Sequence, residues 1–284
     1  ILKLYEDGKL HPDAAITKYL PAKHTRFLAN AEKVTVRMLL NHTSGLPEYS
    51  ENPAFVSYVM LHPTMVFDIE NALRYLEGEK PQFEPGQRHR YCNTNYLLLS
   101  MIADEITGDH AAYIDKIIFR KLGLKNTFYR DSPGYLKYKN LVHSYWDVLN
   151  TGRPADITPL QIANVATLKG DDGIVCTPDD AVAFLRGLEN GNLLKPSTLS
   201  EMKTWVNDDA GKPVYGLGLV HYEAGGLKGF GHSGGGIGAG CMLIYVPEKK
   251  TYIFMATNAG TLFGGILAQK ADAMKNEILA ALLF

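Results

Sequence analysis

Three side chains have types and positions that could do chemistry: Tyr91 and Asn93, two apart in RYCNTNYLLLSMIADEITG (residues 90–108), and His232, inside GFGHSGGGIGAG (residues 229–240). A phenol with an ordinary pKa of about 10 accepts or relays a proton only where neighbouring cations favour its anion. A carboxamide offers both a donor and an acceptor for positioning. Seven glycines around one imidazole let backbone N–H groups approach a ligand without interference from Cβ atoms, which suits a site for a developing oxyanion. Each feature also has a plainer reading: Asn93, Thr94 or Asn95 is a helix N-cap, Tyr91 is a core aromatic, and the glycine stretch is a loop joining two strands.

The glycine stretch fits two further patterns. Gly229, Gly231 and Gly234 satisfy G-x-G-x-x-G, but dinucleotide binding needs a helix after the glycines, and here a strand pattern follows. Gly231, Ser233 and Gly235 satisfy G-x-S-x-G, the nucleophile elbow of α/β-hydrolases, which makes Ser233 an alternative nucleophile. That elbow also needs a strand-to-helix turn and a later histidine, and no histidine follows His232. Ser200 and Lys203 form an S-x-x-K spacing in a short polar helix and are read as chance; Ser44 in HTSG is read as a structural loop residue.

Secondary-structure elements must hold these groups in place. Leu97, Leu98, Met101, Ile102 and Ile106 recur at helical spacing, Asp104 and Glu105 fall off that face, and Gly108 supplies a stop, so a helix follows Tyr91. Thr35 caps a short helix, VRMLL; further helical patterns occupy 53–78, 110–122, 158–168, 178–189 and PSTLSEMKTW, with a loop over 81–90. Beyond residue 213, VYGLGLVHY, CMLIYV and TYIFMAT read as three successive antiparallel strands. Residues 263–284 read as a helix that covers the sheet with Ile266, Leu267, Met274, Ile278 and Leu282.

The expected fold class is α/β, an antiparallel sheet flanked by helices. Residues 1–31 and 206–284 form this part, interleaved with a mainly helical region over 32–205. Three strands make a thin sheet with an exposed apolar edge, and ILKLYEDGKL begins a helical pattern at Ile1 without a capping residue. Both features lead to the expectation of further chain upstream of Ile1.

Composition narrows the function. With 284 residues, 46% hydrophobic and 21% charged, and a net charge of -1, the chain can bury a large core and offers no basic footprint for nucleic acid. Cys92, Cys176 and Cys241 are odd in number and far apart, so they imply neither a disulfide framework nor a zinc knuckle. The nine histidines show no metal-ligand spacing, and no apolar run is long enough to span a membrane. A small-molecule or peptide substrate is the expected partner, with no metal and no cofactor.

VTVRMLLNHTSGLP, FEPGQRHRYCNTNYLLLSMIADEITG, GDDGIVCTPDDAVAFL, YGLGL and GFGHSGGGIGAGCMLIYVPE, in that order, resemble the serine β-lactamase-related family of class C β-lactamases, penicillin-binding D,D-peptidases and related esterases. The resemblance covers nearly the whole chain. It implies a β-lactamase/transpeptidase-like fold and a serine hydrolase that acts through a seryl acyl-enzyme on a D-peptide, an ester or a β-lactam amide. It also implies a site built from three motifs: S-x-x-K, Y-x-N, and K-T-G or H-x-G. Tyr91 and Asn93 match the second, His232 and Gly234 the third. By this resemblance Tyr91 handles protons together with a lysine, and Asn93 holds the substrate and that lysine. The backbone N–H of Gly235 shares an oxyanion hole with the serine's own N–H, and Ser233, Gly234 and Gly236 contact substrate. The S-x-x-K motif itself is expected just upstream of Ile1. Because His232 stands where penicillin-recognising members often carry lysine, a permanent charge for a substrate carboxylate is lost, an unperturbed histidine titrating near pH ~6.5. That directs the expectation toward D-peptides and esters. The resemblance further implies a periplasmic or secreted location, and a non-catalytic peptidoglycan- or peptide-binding relative is the competing expectation.

Overall fold

Local signals set most helix boundaries between residues 32 and 205. The Thr35 hydroxyl accepts the Met38 N–H at 3.2 Å and starts the Val36–Leu40 helix, while Thr177 followed by Pro178 starts Pro178–Glu189. The computed structural model describes residues 1–129, 133–261 and 264–283. The helical pattern over 53–78 is two elements, Pro53–Leu61 and a 3₁₀ segment, Ile69–Leu76. Pro63 explains the break, because the residue before a proline is pushed out of the helical region. Residues 110–122 stay helical but pass through a π-helical stretch, Asp115–Phe119. Two small antiparallel pairs interrupt this part of the chain: β1 (Thr127–Tyr129) with β4 (Ile174–Cys176), and β2 (Tyr145–Trp146) with β3 (Ala155–Asp156).

The main sheet has six strands rather than the three read from the sequence. They are β5 (Val206–Asn207), β6 (Pro213–Tyr215), β7 (Val220–Ala224), β8 (Leu227–Gly235), β9 (Gly240–Val246) and β10 (Thr251–Thr257), antiparallel in the order β10-β9-β8-β7-β6-β5. Two misreadings account for the difference. VYGLGLVHY is a hairpin, not one strand: Gly216 N–H donates to the Leu219 carbonyl at 2.7 Å, Gly218 takes φ +91°, and Tyr215 pairs with Val220. GFGHSGGGIGAG is not a loop throughout, since its first half belongs to β8, which reaches the turn at Gly236 only after Gly235. A Cβ at Gly231 would lie 1.9 Å from the Leu243 carbonyl oxygen on β9. Glycine is therefore required by the closeness of the neighbouring strand, and its low strand propensity is overridden by tertiary packing.

Ile266–Leu283 is helical, as expected, but turns a different face to the sheet; Phe263 and Phe284, at the ends of the sequence pattern, lie outside the described residues. Ala268, Ala271, Lys275 and Leu283 are its buried positions, and Leu279 and Leu283 pack on Ile244, Val246 and Ile253. Ile266, Met274, Ile278 and Leu282 are exposed and Leu267 is only half-buried. The helix carries two apolar stripes, and the one containing alanines allows the closer approach. Among the described residues no helix is long and apolar enough to cross a membrane.

One hydrophobic core runs from Leu2 to Phe230 and centres on the Asn93–Thr107 helix, whose Leu97, Leu98 and Ile102 are fully buried. Gly108 ends this helix at φ +82°. Asp104, on its polar side, is not simply solvated. It pairs with Lys169 Nζ at 2.5 Å and His110 Nδ1 at 2.7 Å, and Lys169 also reaches Glu70 at 2.5 Å. This ion network anchors the chain that leads into Asp171 and Asp172.

Candidate active site

The polar residues at the start of the Asn93–Thr107 helix divide the work among them, and none of their side chains is the N-cap. Cys92 occupies that position without a side-chain cap, and the acceptor for the orphan Asn93 N–H is the buried carboxylate of Glu48, which also accepts the Ser50 N–H at 2.9 Å. An anion there complements the positive end of the helix dipole. Thr94 Oγ1 donates to the Pro47 carbonyl at 2.8 Å, and Asn95 accepts from Ser44 Oγ at 2.6 Å, which makes Ser44 the structural residue the sequence implied. Asn93 is the loosest of the three: its amide donates to Ser50 Oγ at 3.4 Å and faces a cavity of about 1630 Å³.

Tyr91 lines the same cavity and is held from beneath by His42. The Arg90 N–H donates to the His42 carbonyl at 2.9 Å and the Cys92 N–H donates to His42 Nδ1 at 3.2 Å, so the backbone on both sides of Tyr91 is tied to one residue. The two rings lie 4.2 Å apart, centroid to centroid. His42 is fully buried and takes φ +57°, a left-handed conformation uncommon outside glycine. Burial pushes its pKa down to about 3, so the ring is neutral, Nδ1 accepts and Nε2 carries the proton. Tyr91 is 45% exposed at the cavity mouth, yet desolvation by its packed neighbours, reinforced by the carboxylates of Asp171, Glu48 and Asp172, raises its phenol above the ordinary pKa.

Opposite Tyr91 stands the end of β8. β7 pairs with β8 only as far as Val220 opposite Gly231, so within the sheet residues 232–235 are paired on the β9 side alone and their other edge is open. His232, Ser233, Gly234, Gly235 and Gly236 all line the cavity, and the His232 ring centroid is 6.0 Å from that of Tyr91. His232 Nδ1 lies 2.6 Å from the Ser233 carbonyl oxygen and Nε2 lies 2.8 Å from the Tyr215 hydroxyl. Burial lowers the pKa of this imidazole.

The far wall is acidic. Asp171 accepts a hydrogen bond from the Tyr49 hydroxyl through Oδ2, leaves Oδ1 without a partner, and is pushed up to about 7, first by burial and then by Asp172 and Glu48 against the Tyr49 bond. Asp172 is more exposed, its carboxyl is raised by the desolvation of the surrounding wall, and its Oδ1 accepts the Gly173 N–H at 2.7 Å. No lysine or arginine is among the described residues that line the cavity.

One sequence alternative fails, and the S-x-x-K spacing read as chance lies away from the site. Ser233 sits on a strand that turns into β9, not into a helix, so the nucleophile-elbow reading is excluded by the backbone. Ser200 is exposed on the Pro196–Met202 helix, and Lys203 pairs with Glu189 at 2.5 Å and lies over the Phe230 ring, away from the cavity. His42, Glu48, Asp171, Asp172 and Tyr215 received no role from the sequence, although HTSG, GDDG and YGLG contain four of them.

The model of the Beta-lactamase family matches residues 1–272. The chain belongs to the beta-lactamase family. Among curated relatives of this beta-lactamase-family chain, penicillin-binding protein 4* of Bacillus subtilis (strain 168) is 28% identical over 270 residues, covering 90% of this chain and 57% of that protein. The chain thus spans little more than half the length of that relative. Among solved structures, the D-stereospecific amidohydrolase from Streptomyces sp. superposes with a TM-score of 0.81 at 26% identity, over 95% of this chain and 80% of that one. The D-amino acid amidase from Ochrobactrum anthropi SV3 superposes with a TM-score of 0.76 at 24% identity, over 99% of this chain and 81% of that one, and shares the fold. The β-lactamase/transpeptidase-like fold expected from the motifs is the fold observed.

Proposed function

We propose that this beta-lactamase-family chain is the proton-handling and substrate-binding part of a serine hydrolase that transfers an acyl group to water through a seryl acyl-enzyme. The observation that carries the proposal is the convergence of Tyr91, Asn93 and the open edge of β8 on one cavity. The nucleophile and its lysine, the S-x-x-K motif, are assigned to chain upstream of Ile1. Tyr91 supports that assignment: a phenol raised by desolvation and by nearby carboxylates accepts a proton only if a cation is brought beside it, and the described lining supplies none. In this reading Tyr91 takes the serine proton and returns it to the leaving group, Asn93 positions the acyl chain and the lysine, and the Gly235 N–H stabilises the oxyanion. Removing one donor of that kind typically costs roughly 3 to 4 kcal/mol of barrier. Ser233, Gly234 and Gly236 contact substrate along the open strand edge.

The electrostatics favour an amide or ester whose acyl part is neutral or carries an amine. Burial disfavours a charged His232, no lysine or arginine is among the described residues that line the cavity, and Asp171 and Asp172 stand on its wall, so the described lining offers a penicillin carboxylate no cation beyond the lysine assigned to the nucleophile motif. The names of the two solved relatives, a D-stereospecific amidohydrolase and a D-amino acid amidase, agree with a D-amino acid amide or a short D-peptide. The test is turnover of D-amino acid p-nitroanilides and p-nitrophenyl esters by the protein carrying its upstream segment, with intact-mass detection of the acyl adduct and benzylpenicillin as comparison. Turnover with an adduct on the upstream serine supports the reading. Saturable binding of the same compounds with neither adduct nor turnover refutes it in favour of a non-catalytic binding relative.

A further inference from the structure

His232 is the one member of the site whose two ring nitrogens are both engaged by this chain. A backbone carbonyl can only accept, so the 2.6 Å contact with the Ser233 oxygen requires the proton on Nδ1. In a neutral ring Nε2 is then a bare acceptor, and the Tyr215 hydroxyl at 2.8 Å must donate to it. The Tyr215 ring packs edge-on against His232 at 5.7 Å, and it also makes edge contacts with His42 at 4.7 Å and Tyr91 at 6.0 Å. Tyr215 is itself buried, only 3% exposed, and its hydroxyl lies between two acceptors, His232 Nε2 and the hydroxyl oxygen of Tyr96, which itself donates to the Leu40 carbonyl at 2.9 Å. Losing the Tyr215 bond removes the one donor that this chain is seen to give His232 Nε2.

From this geometry we infer that Tyr215 is a positioning residue that locks His232 as the neutral Nδ1–H tautomer, with Nε2 closed to substrate. The imidazole then serves as a fixed apolar-edged wall beside Tyr91 and not as a cation or donor for a substrate carboxylate. This deepens the proposed function by giving the physical reason that the third motif, in its histidine form, selects against anionic acyl groups. It rests on that reading only for its catalytic consequence; the tautomer stands independently of any activity. The ionisable groups that face His232 are Tyr91, Tyr215 and, behind them, His42. None is an acid that would hold the ring protonated.

Long-range ¹H–¹⁵N spectra of ¹⁵N-histidine-labelled protein, with His232 assigned by loss of its signals in His232→Asn, read the tautomer directly. The wild-type ring is expected to be neutral at pH 7 with the proton on Nδ1; an Nε2–H tautomer, or a protonated ring, overturns the inference without any variant being needed. In Tyr215→Phe the ring should lose the pure Nδ1–H pattern and its titration should move up toward the ordinary histidine value of about 6.5. An unchanged tautomer and titration in that variant, its fold checked by circular dichroism, shows that the Ser233 carbonyl alone sets the ring and removes Tyr215 from the role. If the protein proves to be a hydrolase, Tyr215→Phe should also narrow the preference for a neutral over a carboxylate-bearing acyl donor about tenfold, the equivalent of one lost hydrogen bond. An unchanged preference beside a changed tautomer refutes the link to selectivity while leaving the lock in place.

Discussion

Asp171→Asn isolates the electrostatics of the cavity wall. The carboxyl takes a hydrogen bond from Tyr49 on Oδ2, keeps Oδ1 unpartnered, and has its pKa pushed up to about 7 from 3.8. A folded-state pKa above the unfolded one means that the folded protein holds a proton that the unfolded chain releases. The native state is therefore least penalised below pH 4 and loses stability as the pH rises through 7, becoming level above that. At 1.36 kcal/mol for each pKa unit the loss across this window is up to about 4 kcal/mol. The asparagine side chain keeps an oxygen for the Tyr49 hydroxyl and carries no charge. Urea denaturation of both proteins at intervals from pH 4 to pH 8 gives the difference in stability, in which the depressed histidines His24, His42, His89 and His232 cancel. The variant should gain on the wild type by up to about 4 kcal/mol between the two ends. A difference that stays flat from pH 4 to 8 means that Asp171 is ionised throughout, and the account of an acid wall without countercharge is then wrong.

Lys169→Met should cost about 3 to 5 kcal/mol in chemical denaturation, because it leaves Glu70 and Asp104 facing each other without their shared cation; a loss under 1 kcal/mol would show the network to be a solvated one. Gly231→Ala should destabilise by about 1 to 3 kcal/mol, since the new Cβ meets the Leu243 carbonyl oxygen, and a wild-type melting temperature would contradict the close β8–β9 contact. Tyr91→Phe, in protein that includes the proposed S-x-x-K motif, should lower kcat on the p-nitrophenyl ester at least about 100-fold with little change in KM; undiminished adduct formation by intact mass would take the proton-handling role away from this phenol. His42→Asn, which tolerates the left-handed backbone, should reduce the loss of stability between pH 6.5 and 3, because a histidine with its folded pKa lowered to about 3 penalises the native state only as the pH falls below the unfolded value.

Whatever is decided within one turn of helix was legible in the sequence. Thr35, the pair Thr177 and Pro178, and Gly108 set helix ends by local hydrogen bonds or local backbone freedom, and the helix that carries Asn93 begins where its periodicity does. What depends on a distant partner was not. The strand character of β8 lies in how closely β9 approaches it, and the choice between the two stripes of Ile266–Leu283 lies in the sheet that receives them. The site divides the same way. Tyr91, Asn93 and His232 stand out by type and spacing, while Tyr49 meets Asp171 across 122 residues, Cys92 meets His42 across 50, and Tyr215 meets His232 across 17. No periodicity announces such pairs.

The hairpin misread as a single strand links fold to site. Had VYGLGLVHY been one extended strand, it would run on beside β8 past Gly231 and close the edge of residues 232–235 with ladder hydrogen bonds. Instead Gly218, at φ +91°, permits a tight turn that ends β7 at Val220 and brings Tyr215 back opposite that residue. One turn therefore does two things: it leaves residues 232–235 of β8 without a ladder neighbour on the β7 side, and it delivers the phenol that engages His232 Nε2. A side chain at Gly218 would be strained by that φ and would press on the Tyr96 hydroxyl at 3.0 Å. The glycine at 218 is thus tied to both the open edge and the imidazole that borders it, although it touches neither.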